Sequence, residues 1–444
     1  MKRIFCKIAL VALVALSAVG CAQKSEADFD ALEAQSLAAW MDKNYPDWKT
    51  SGDWTTVDGV YIKWLRRVEE SATDTIIKPE NWVRINYTGK DLQDDVFYTR
   101  NANVAKIQGT FSRRTHYVPD FVYLSEENTL IHSGTYEALT RMKVGEMVRV
   151  IMPSGRYSGS NGYSSTNVGY NGQFGLAGNV PVIIDSLELV EVSADPIIKE
   201  NKDISTYVSD RWKMKPADSL KEGLYVQLMT PLPFKRDSVV KDSTLTCYYK
   251  AYFLDGFVFD SNIDSVQMRA WGEITNEGPL EWDMKDTSVS MISGFKEACL
   301  QACYGDHIRT VFTSAWGYGI SGSSATATTI SSSSSSDYDY SSYYNYLNYY
   351  NYMNQMYGYG SYGYGYGYGG YGNSYYNDYY NSAYYASLYS SMYDTTSSST
   401  SNEDETEADK VQISTEILPF TPLIFEIWVC AIDGSQVTPD ANTE

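Results

Sequence analysis

The sequence has 444 residues and a formal net charge of −20, with 35 basic against 55 acidic side chains. A chain this acidic is poorly suited to bind nucleic acid, because Lys and Arg side chains must replace the counterions of the phosphates. We therefore expect no nucleic-acid partner. A chain of this length can form more than one folded domain.

The first 21 residues are predicted to be a leader and not part of the fold. Three basic side chains precede an apolar run at residues 8–19, which is too short to span a bilayer as a helix. The run ends in Ala18-Val-Gly-Cys21, which resembles a bacterial lipobox. Cys21 is therefore the expected site of lipid attachment, and an ordinary secretory signal is the alternative.

The residues after the leader suggest a location. Ala22, and not Asp, follows Cys21, which by the same resemblance favours the outer membrane. Gln23-Lys-Ser-Glu26 resembles the surface-export tag of some Bacteroidetes lipoproteins. We expect an outer-membrane lipoprotein of the bacterial envelope, on its periplasmic or surface face. Its only membrane contact would be the lipid, because no later run is apolar and long enough to span a bilayer.

The remaining chain contains one pattern twice. The offsets between matching positions lie between 160 and 164 residues over a stretch of about ninety, and such regularity indicates a duplicated domain. The matching pairs are Gly59 with Gly223, Tyr87 with Tyr249, Phe97 with Phe259, Gly134 with Gly294, and Gly145 with Gly305.

The first copy reads as a set of strands around a helix. A helix is predicted at residues 28–48, where Pro46 helps to end it, and a second at residues 136–142. Short alternating runs separated by turn residues predict strands. These runs are residues 59–65, 83–87, 121–124, 148–152, 180–184 and 187–192. Many strands with one helix indicate an α+β domain, an antiparallel sheet wrapped around a short helix.

The second copy repeats this layout. A helix is predicted at residues 203–212 and another at 295–303, with strands at 223–226, 244–253, 257–259, 309–312 and 423–429. The predicted organisation is a leader (1–21), an N-terminal helix (22–56), a first domain (57–193), a linker helix (194–222), a second domain (223–433) interrupted at 320–409, and a tail (434–444).

The interruption of the second domain has an unusual composition. Residues 321–400 hold 23 of the 40 tyrosines, mixed with Ser, Gly and Asn and without Pro, Lys or Arg. So few aliphatic side chains predict no packed core. Two interpretations stay open: a solvated loop, or a surface for self-association or glycan contact, since tyrosine joins an apolar face to a hydroxyl. Residues 157–178 form a shorter version in the first copy.

Cysteine and histidine do not indicate a metal centre. Four cysteines follow the leader, all in the second copy, and Cys299 and Cys303 lie four apart on a predicted helix. A disulfide between them is one interpretation, but small buried apolar side chains are the favoured one. The three histidines are scattered along the chain. We predict neither a metal nor a cofactor.

Motifs along the second copy resemble those of FKBP-type peptidyl-prolyl isomerase domains. The spacing is kept across the whole copy apart from the insert, although Phe295 stands where the family has Trp. The motifs are Tyr249, Phe253-Leu-Asp-Gly-Phe-Val-Phe-Asp-Ser261, Met291-Ile-Ser-Gly-Phe295, Gly317-Tyr-Gly319, and Ile417-Leu-Pro-Phe-Thr-Pro-Leu-Ile-Phe425.

This resemblance implies a fold and a site. Each copy would be an FKBP-like domain, and proline-containing polypeptides would be the partners. Phe295 would be the floor under a proline ring, the backbone N–H of Ile292 and the hydroxyl of Tyr318 would hold substrate carbonyls, and Asp260 would polarise the amide. The walls would be Tyr249, Phe259, Met291, Ile417 and Phe425.

The first copy keeps the frame of the resemblance but departs from it at the pocket. Tyr98 stands where the family has the Asp after Phe, and Thr135 stands at the Trp position. Weak equivalents of the site residues are Tyr87, Phe97, Ile131, His132 and Tyr157, the last after a shift of one residue. We therefore expect a lipid-anchored prolyl isomerase and folding helper, active in the second copy. The alternative is a non-catalytic binding or adhesion lipoprotein.

Overall fold

The computed structural model describes residues 29–69, 80–125, 132–159, 163–164, 175–229, 237–275, 278–286, 291–325, 327–330 and 410–431. The predicted leader with Cys21, Ile131 and most of the tyrosine-rich insert lie outside the described residues. The chain divides into two compact units, residues 1–328 with 412–444, and residues 329–411. Across the described ranges, no helix combines the length and the apolar character that crossing a membrane would need.

The first repeat, residues 57–193, is built on a seven-stranded antiparallel sheet. Its strands run in the order β1-β2-β6-β9-β3-β4, and β5 also pairs with β3. A separate two-stranded pairing joins β7 to β8. The bounds are β1 Trp54–Val57, β2 Val60–Arg66, β3 Trp82–Asp91, β4 Val96–Thr99, β5 Asp120–Tyr123, β6 Met147–Met152, β7 Tyr163–Ser164, β8 Gly175–Leu176 and β9 Val182–Ser193.

The second repeat, residues 223–433, has a six-stranded antiparallel sheet with the same order of equivalent strands. That order is β10-β14-β17-β11-β12, with β13 also on β11, and β15 pairs with β16. The bounds are β10 Leu224–Leu228, β11 Thr244–Tyr252, β12 Val258–Ser261, β13 Leu280–Asp283, β14 His307–Phe312, β15 Ala327–Ile330, β16 Lys410–Ile413 and β17 Leu423–Val429. The shared order agrees with a duplication, and the predicted α+β class is confirmed in both repeats.

Each sheet is covered by helices on both faces. The short helices α3 and α6 pack on the inner face, where Ala138 and Phe295 belong to the two main cores. The longer helices α1 and α4 pack on the outer face through Met41 and Ile204. The α-helices of the described residues are α1 Phe29–Asn44, α2 Ala102–Ile107, α3 Ser133–Leu139, α4 Pro196–Tyr207, α5 Asp264–Trp271 and α6 Ser293–Cys299.

Burial on both faces explains the nearly continuous apolar runs of the strands. Val60 and Ile62 face the inner core, and Tyr61 between them faces α1. Because side chains alternate along a strand, apolar residues at every position require cover on two sides. The outer helices therefore belong to the repeat and are not only linkers.

A glycine brings each inner helix close to its sheet. A Cβ on Gly294 would lie 2.6 Å from ring atoms of Phe312, and one on Gly134 would lie 2.5 Å from the sulfur of Met152. No other residue fits without displacing these neighbours. This close approach explains why the glycine recurs at the start of both helices.

A carboxylate joins each outer helix to a turn: the half-buried Glu33 reaches the turn after β6, and the buried Glu200 reaches the turn after β14. Glu33 of α1 accepts hydrogen bonds from the backbone N–H and the hydroxyl of Ser154, both at 2.9 Å. Glu200 of α4 accepts the same two bonds from Ser314, the one from the hydroxyl at 2.9 Å. The contact recurs 160 residues later on the turn, so the duplication includes the outer helix.

Several predicted helix starts are wrong by two to seven residues. The helix predicted at 203–212 begins at Pro196, because Asp195 caps it by accepting from the N–H groups of Ile197 and Ile198. The predicted helices at 136–142 and 295–303 each begin earlier, at Ser133 and Ser293. The two strands predicted at 180–192 form one strand, β9, in which Ser186 has a positive φ.

Nine helices and strands of the described residues were not predicted from the sequence. The helices are α2 and α5, which follow β4 and β12 at equivalent places, and the strands are β1, β4, β7, β8, β13, β15 and β16. Each repeat therefore has more than the one short helix expected. These elements are two to eight residues long, and segments of that length carry too few periods of an apolar pattern to be recognised.

The two repeats contact one another through aromatic side chains. Phe420 of the second repeat packs edge-on against Trp82 of the first, with ring centroids 4.9 Å apart. In return, His116 of the first repeat stacks on Phe253 at 4.8 Å. An ion pair from Arg114 to Glu273 at 2.6 Å and a hydrogen bond between His116 and Asp255 at 2.7 Å flank these contacts.

The Glu200 contact predicts opposite effects for two substitutions. Glu200→Ala leaves the buried N–H of Ser314 without its acceptor and should lower the free energy of unfolding by about 1–3 kcal/mol. Glu200→Gln keeps an acceptor and removes the charge. Burial raises the pKa of Glu200, so the folded state binds its proton more tightly than the unfolded state. The wild type should therefore lose stability relative to Glu200→Gln as pH rises from the unfolded pKa through the folded one.

Urea unfolding followed by tryptophan fluorescence at a series of pH values measures both effects. Glu33→Ala is the matched variant in the first repeat. An Ala variant at position 200 as stable as the wild type would contradict the structural role of the carboxylate.

Candidate functional site

The candidate site of the second repeat is an aromatic cluster on the inner face of the sheet. Phe295, the first large side chain of α6, is 1 % exposed and packs edge-on against Phe425 of β17, with centroids 5.3 Å apart. Phe259 of β12 lies 5.8 Å from Phe425, and Tyr249 of β11 lies 6.0 Å from Phe295. The structure thus brings together four of the predicted site residues around one floor.

A polar group lies at the edge of this cluster. The hydroxyl of Tyr249 donates to Asp260 at 3.0 Å, and Asp260 is exposed. Tyr318 interacts electrostatically with the same carboxylate and is 38 % exposed. Burial, and after it the charge of Asp260, raises the pKa of Tyr318. Its hydroxyl is therefore protonated at neutral pH and able to donate a hydrogen bond.

Three aliphatic residues complete the cluster. Met291 and Ile292 are half-buried immediately before α6, and both pack against the second core. Ile417 is buried in that core, and its backbone exchanges two hydrogen bonds of 2.8 Å with Ser323. All nine predicted residues of the second repeat therefore lie on or beside one core, while their individual roles stay predictions.

The sequence reasoning missed Trp282 at this site. It is 3 % exposed on β13, and its ring lies 6.4 Å from that of Phe295. The strand that carries Trp282 was not predicted, so no sequence pattern indicated that its indole lies beside Phe295.

The pocket of the first repeat has different chemistry. Tyr98 takes the strand position of Asp260 and stacks on Tyr87 at 4.8 Å. Tyr157 packs against His132, with centroids 3.9 Å apart, and against Phe97 at 5.6 Å. Three of these predicted residues, Tyr87, His132 and Tyr157, line one cavity together with Tyr98, and Phe97 packs beside Tyr157.

The turn geometry explains why Tyr157 matched only after a shift. The backbone N–H of Tyr157 donates to the carbonyl of Ser154. In the second repeat, the N–H of Gly317 makes the same bond to the carbonyl of Ser314. Tyr157 is therefore equivalent to Gly317 and not to Tyr318. The two residues also share backbone angles, with φ −119° and −117°. Tyr157 is consequently buried where Tyr318 is exposed.

A buried charged network in the first repeat was also missed. The guanidinium of Arg100 donates to Asp120 at 2.7 Å and to Glu416 of the second repeat, and Tyr98 donates its hydroxyl to Asp120. Removing Arg100 would take away the guanidinium that both carboxylates share in this buried setting. No sequence signal pairs Arg100 with Glu416, since 316 residues separate them.

This network borders a cavity of about 210 Å³. Both repeats line it, so the second repeat completes the pocket of the first. The first repeat contributes Tyr87, Tyr98, Arg100, Asp120, His132 and Tyr157, and the second contributes Ser321, Ser323, Ser324 and residues 416–419.

Among the residues that the structure covers, no three His, Cys, Asp or Glu side chains are grouped to hold a metal. The four described cysteines are free thiols, and Cys247, Cys299 and Cys430 are buried. Burial raises the pKa of Cys247 to about 12, which keeps this thiol protonated.

No protein-family model matches the sequence. No curated protein matches it either. Among solved structures, the chain is similar to a peptidyl-prolyl cis-trans isomerase of Pseudomonas syringae pv. tomato at 16% identity and a TM-score of 0.25, over 37% of this chain and 95% of that one. It is also similar to the three FKBP domains of wheat FKBP73 at 12% identity and a TM-score of 0.23, over 84% and 95% of the two chains. Values this low carry no conclusion on activity.

The pairing of Tyr318 with Asp260 predicts a change in titration. Asp260→Asn removes a negative charge that raises the phenol pKa, so the pKa of Tyr318 should fall toward its ordinary value while burial still holds it above. A ¹³Cζ-tyrosine NMR titration measures this pKa, with Tyr318→Phe to assign the signal.

Asp264→Asn is the control for that titration. Asp264 acts on Tyr248 and not on Tyr318, so this substitution should lower the pKa of Tyr248 alone. An unchanged Tyr318 titration in Asp260→Asn would show that the two groups do not interact.

Proposed function

We propose that the second repeat is an FKBP-type peptidyl-prolyl cis–trans isomerase that acts on proline-containing polypeptides. The observation that carries this proposal is the floor of Phe295 between Phe425 and Tyr249, with Asp260 and Tyr318 at its edge. An apolar floor with a few polar groups at the rim suits a proline ring and the amide beside it.

The reaction needs no bond to be broken. Rotation about the X–Pro bond destroys amide resonance and meets a barrier of about 18–20 kcal/mol, so uncatalysed exchange takes roughly tens to hundreds of seconds. A twisted amide is less dipolar than a planar one. An apolar pocket therefore favours the twisted state over the hydrated planar state, which is differential binding of the transition state.

Each polar group then has a defined role in the proposal. The ring of proline would lie on Phe295. The hydroxyl of Tyr318 and the backbone N–H of Ile292 would donate to substrate carbonyls on either side of the rotating bond. Asp260, oriented by Tyr249 at 3.0 Å, would polarise the twisting amide. Phe259, Met291, Ile417 and Phe425 would exclude water from it.

The proposal extends to location and partners. Cys21 would carry the lipid and hold the protein on the outer membrane of a bacterium, and the protein would not bind nucleic acid. The predicted self-association or glycan contact belongs to residues 321–400, nearly all outside the described residues. Loss of the protein from the membrane fraction in Cys21→Ser would support the lipid anchor, and unchanged partition would contradict it.

The activity is tested by the rate of X–Pro isomerisation in a short peptide, measured by exchange NMR with the full chain. Phe295→Ala removes the floor and should lower kcat/KM by about ten-fold or more, in line with the loss of a large buried contact. Asp260→Asn should reduce it as well.

Thr135→Ala is the matched control, because Thr135 holds the Phe295 position in the first repeat. It should leave the rate unchanged. If neither the wild type nor a variant without residues 331–409 accelerates exchange, the isomerase proposal is wrong and a binding role remains. If only the shortened variant is active, the insert regulates the site.

A further inference from the structure

The turn that precedes Asp260 is contacted by a side chain of the first repeat. This β11–β12 turn is residues 253–257, and Asp260 follows it on β12. Nε2 of His116 lies 2.7 Å from one oxygen of the Asp255 carboxylate, and the other oxygen accepts the backbone N–H of Phe257 at 3.0 Å. One residue of the first repeat therefore reaches the middle of the turn.

A series of aromatic rings continues this contact to the candidate site. The imidazole of His116 lies 4.6 Å from the ring of Phe257 and 4.8 Å from that of Phe253. Phe253 stacks on Phe259 at 4.8 Å, and Phe259 packs edge-on against Phe425 at 5.8 Å. Phe253 and Phe259 are both buried. Because close-packed side chains transmit strain, a displacement of His116 would reach β12 through these rings.

Strand β12 depends on such contacts because its own pairing is short. It is four residues long and lies at the edge of the sheet, where β11 is its only partner among the described strands. The register between β11 and β12 shifts next to Ala251. Such an irregularity interrupts the ladder of backbone hydrogen bonds at the end near the turn. Side-chain contacts must therefore help to fix the direction of Asp260.

The loop that carries His116 is held on both sides. Within the first repeat, the hydroxyl of Tyr117 accepts the backbone N–H of Ser112 at 3.1 Å. From the second repeat, the hydroxyl of Thr415 donates to the carbonyl of Arg114 at 2.8 Å. The support of His116 is therefore ordered, as the positioning of a functional group requires.

The equivalent turn of the first repeat is built differently. Asp91 stands at the position of Phe253, since the offset of the flanking pairs is 162 residues. The carboxylate of Asp91 accepts the N–H groups of Gln93 and Asp95 at 2.8 and 3.0 Å, so this turn is closed by its own residues. In the second repeat the ring of Phe253 takes that place and packs against His116. The turn of the second repeat is therefore adapted to contact with the first.

We propose that His116 is a positioning residue of the isomerase site, because it holds the β11–β12 turn and thereby the direction of the Asp260 carboxylate. For the reaction, this role rests on the proposed function. For the geometry it does not, since Tyr318 interacts with Asp260 whether or not a peptide is bound. The first repeat is then a part of the site that acts on the peptide.

The pKa of Tyr318 in the full chain, read from its ¹³Cζ signal, tests the geometry. Burial and then the charge of Asp260 raise this pKa, and the effect of the charge falls with distance. His116→Ala should therefore lower the pKa, as Asp260→Asn does. The double variant should lower it no further than Asp260→Asn alone, because the effect of His116 passes through Asp260. An unchanged pKa in His116→Ala, or additive changes in the double variant, would overturn the proposal.

Conservative variants separate the two contacts of His116. His116→Gln keeps a donor for Asp255, and His116→Phe keeps a ring against Phe253, so each should restore part of the Tyr318 pKa. Glu273→Gln is the control, because it alters the ion pair with Arg114, a contact between the repeats outside the turn. If Glu273→Gln lowered the pKa as much as His116→Ala, any weakening of the repeat contact would suffice and the specific role of His116 would be wrong.

Exchange NMR of a short X–Pro peptide at a series of concentrations tests the role in the reaction. His116→Ala should lower kcat about ten-fold, as expected when a group that acts in the transition state is misplaced. It should change KM by less than about two-fold, since Asp260 is not assigned to hold the planar peptide. A raised KM with unchanged kcat would overturn the role. If the wild type does not accelerate exchange, the proposed function is wrong, and the Tyr318 titration alone decides whether His116 positions Asp260.

Discussion

A carboxylate held between a helix and a turn is the contact on which the pocket tyrosines depend. Glu33 and Glu200 reach from the outer helices to Ser154 and Ser314. These serines begin the turns after β6 and β14, and each turn places a tyrosine three or four residues later beside the pocket. The contact of each outer helix with the turn thus helps to position the tyrosine at the pocket on the inner face of the sheet. Because a buried carboxylate without partners is expensive, the contact also fixes which turn conformation is allowed.

From this shared frame the two repeats diverge in the pocket. The second repeat surrounds Phe295 with other aromatic rings and leaves Asp260 at the water-exposed edge. The first repeat replaces that acid with Tyr98 and places Asp120 and Arg100 inside. One fold therefore offers an apolar floor in one copy and a charged cavity in the other. Fold and function separate here, since the frame constrains the strands but not the side chains that face the space between them.

Particular residues show which features of the structure could be predicted from the sequence. The pattern of residues 59–65 was sufficient to predict one strand, and paired positions such as Gly134 and Gly294 were sufficient to predict the duplication. Strands β1, β4 and β13 were not predicted. Asp195 followed by Pro196 is a helix-start signal in the sequence. Without it the predicted start of this helix was seven residues too late.

Other features had no local signal. Glu200 lies on a helix, where a carboxylate is usually solvated, and only the packed structure shows it to be buried. The Arg100–Glu416 pair joins segments that are distant in sequence. Contacts of this kind are fixed by packing between repeats, and no periodicity within one repeat records them.

We propose that a proline peptide binds to the second repeat and not to the first. A ¹³Cζ-tyrosine NMR spectrum of the full chain, titrated with a short X–Pro peptide, tests this directly. The predicted result is a shift of the Tyr249 and Tyr318 signals, with Tyr87 and Tyr157 unmoved. Shifts confined to Tyr87 and Tyr157 would contradict the account.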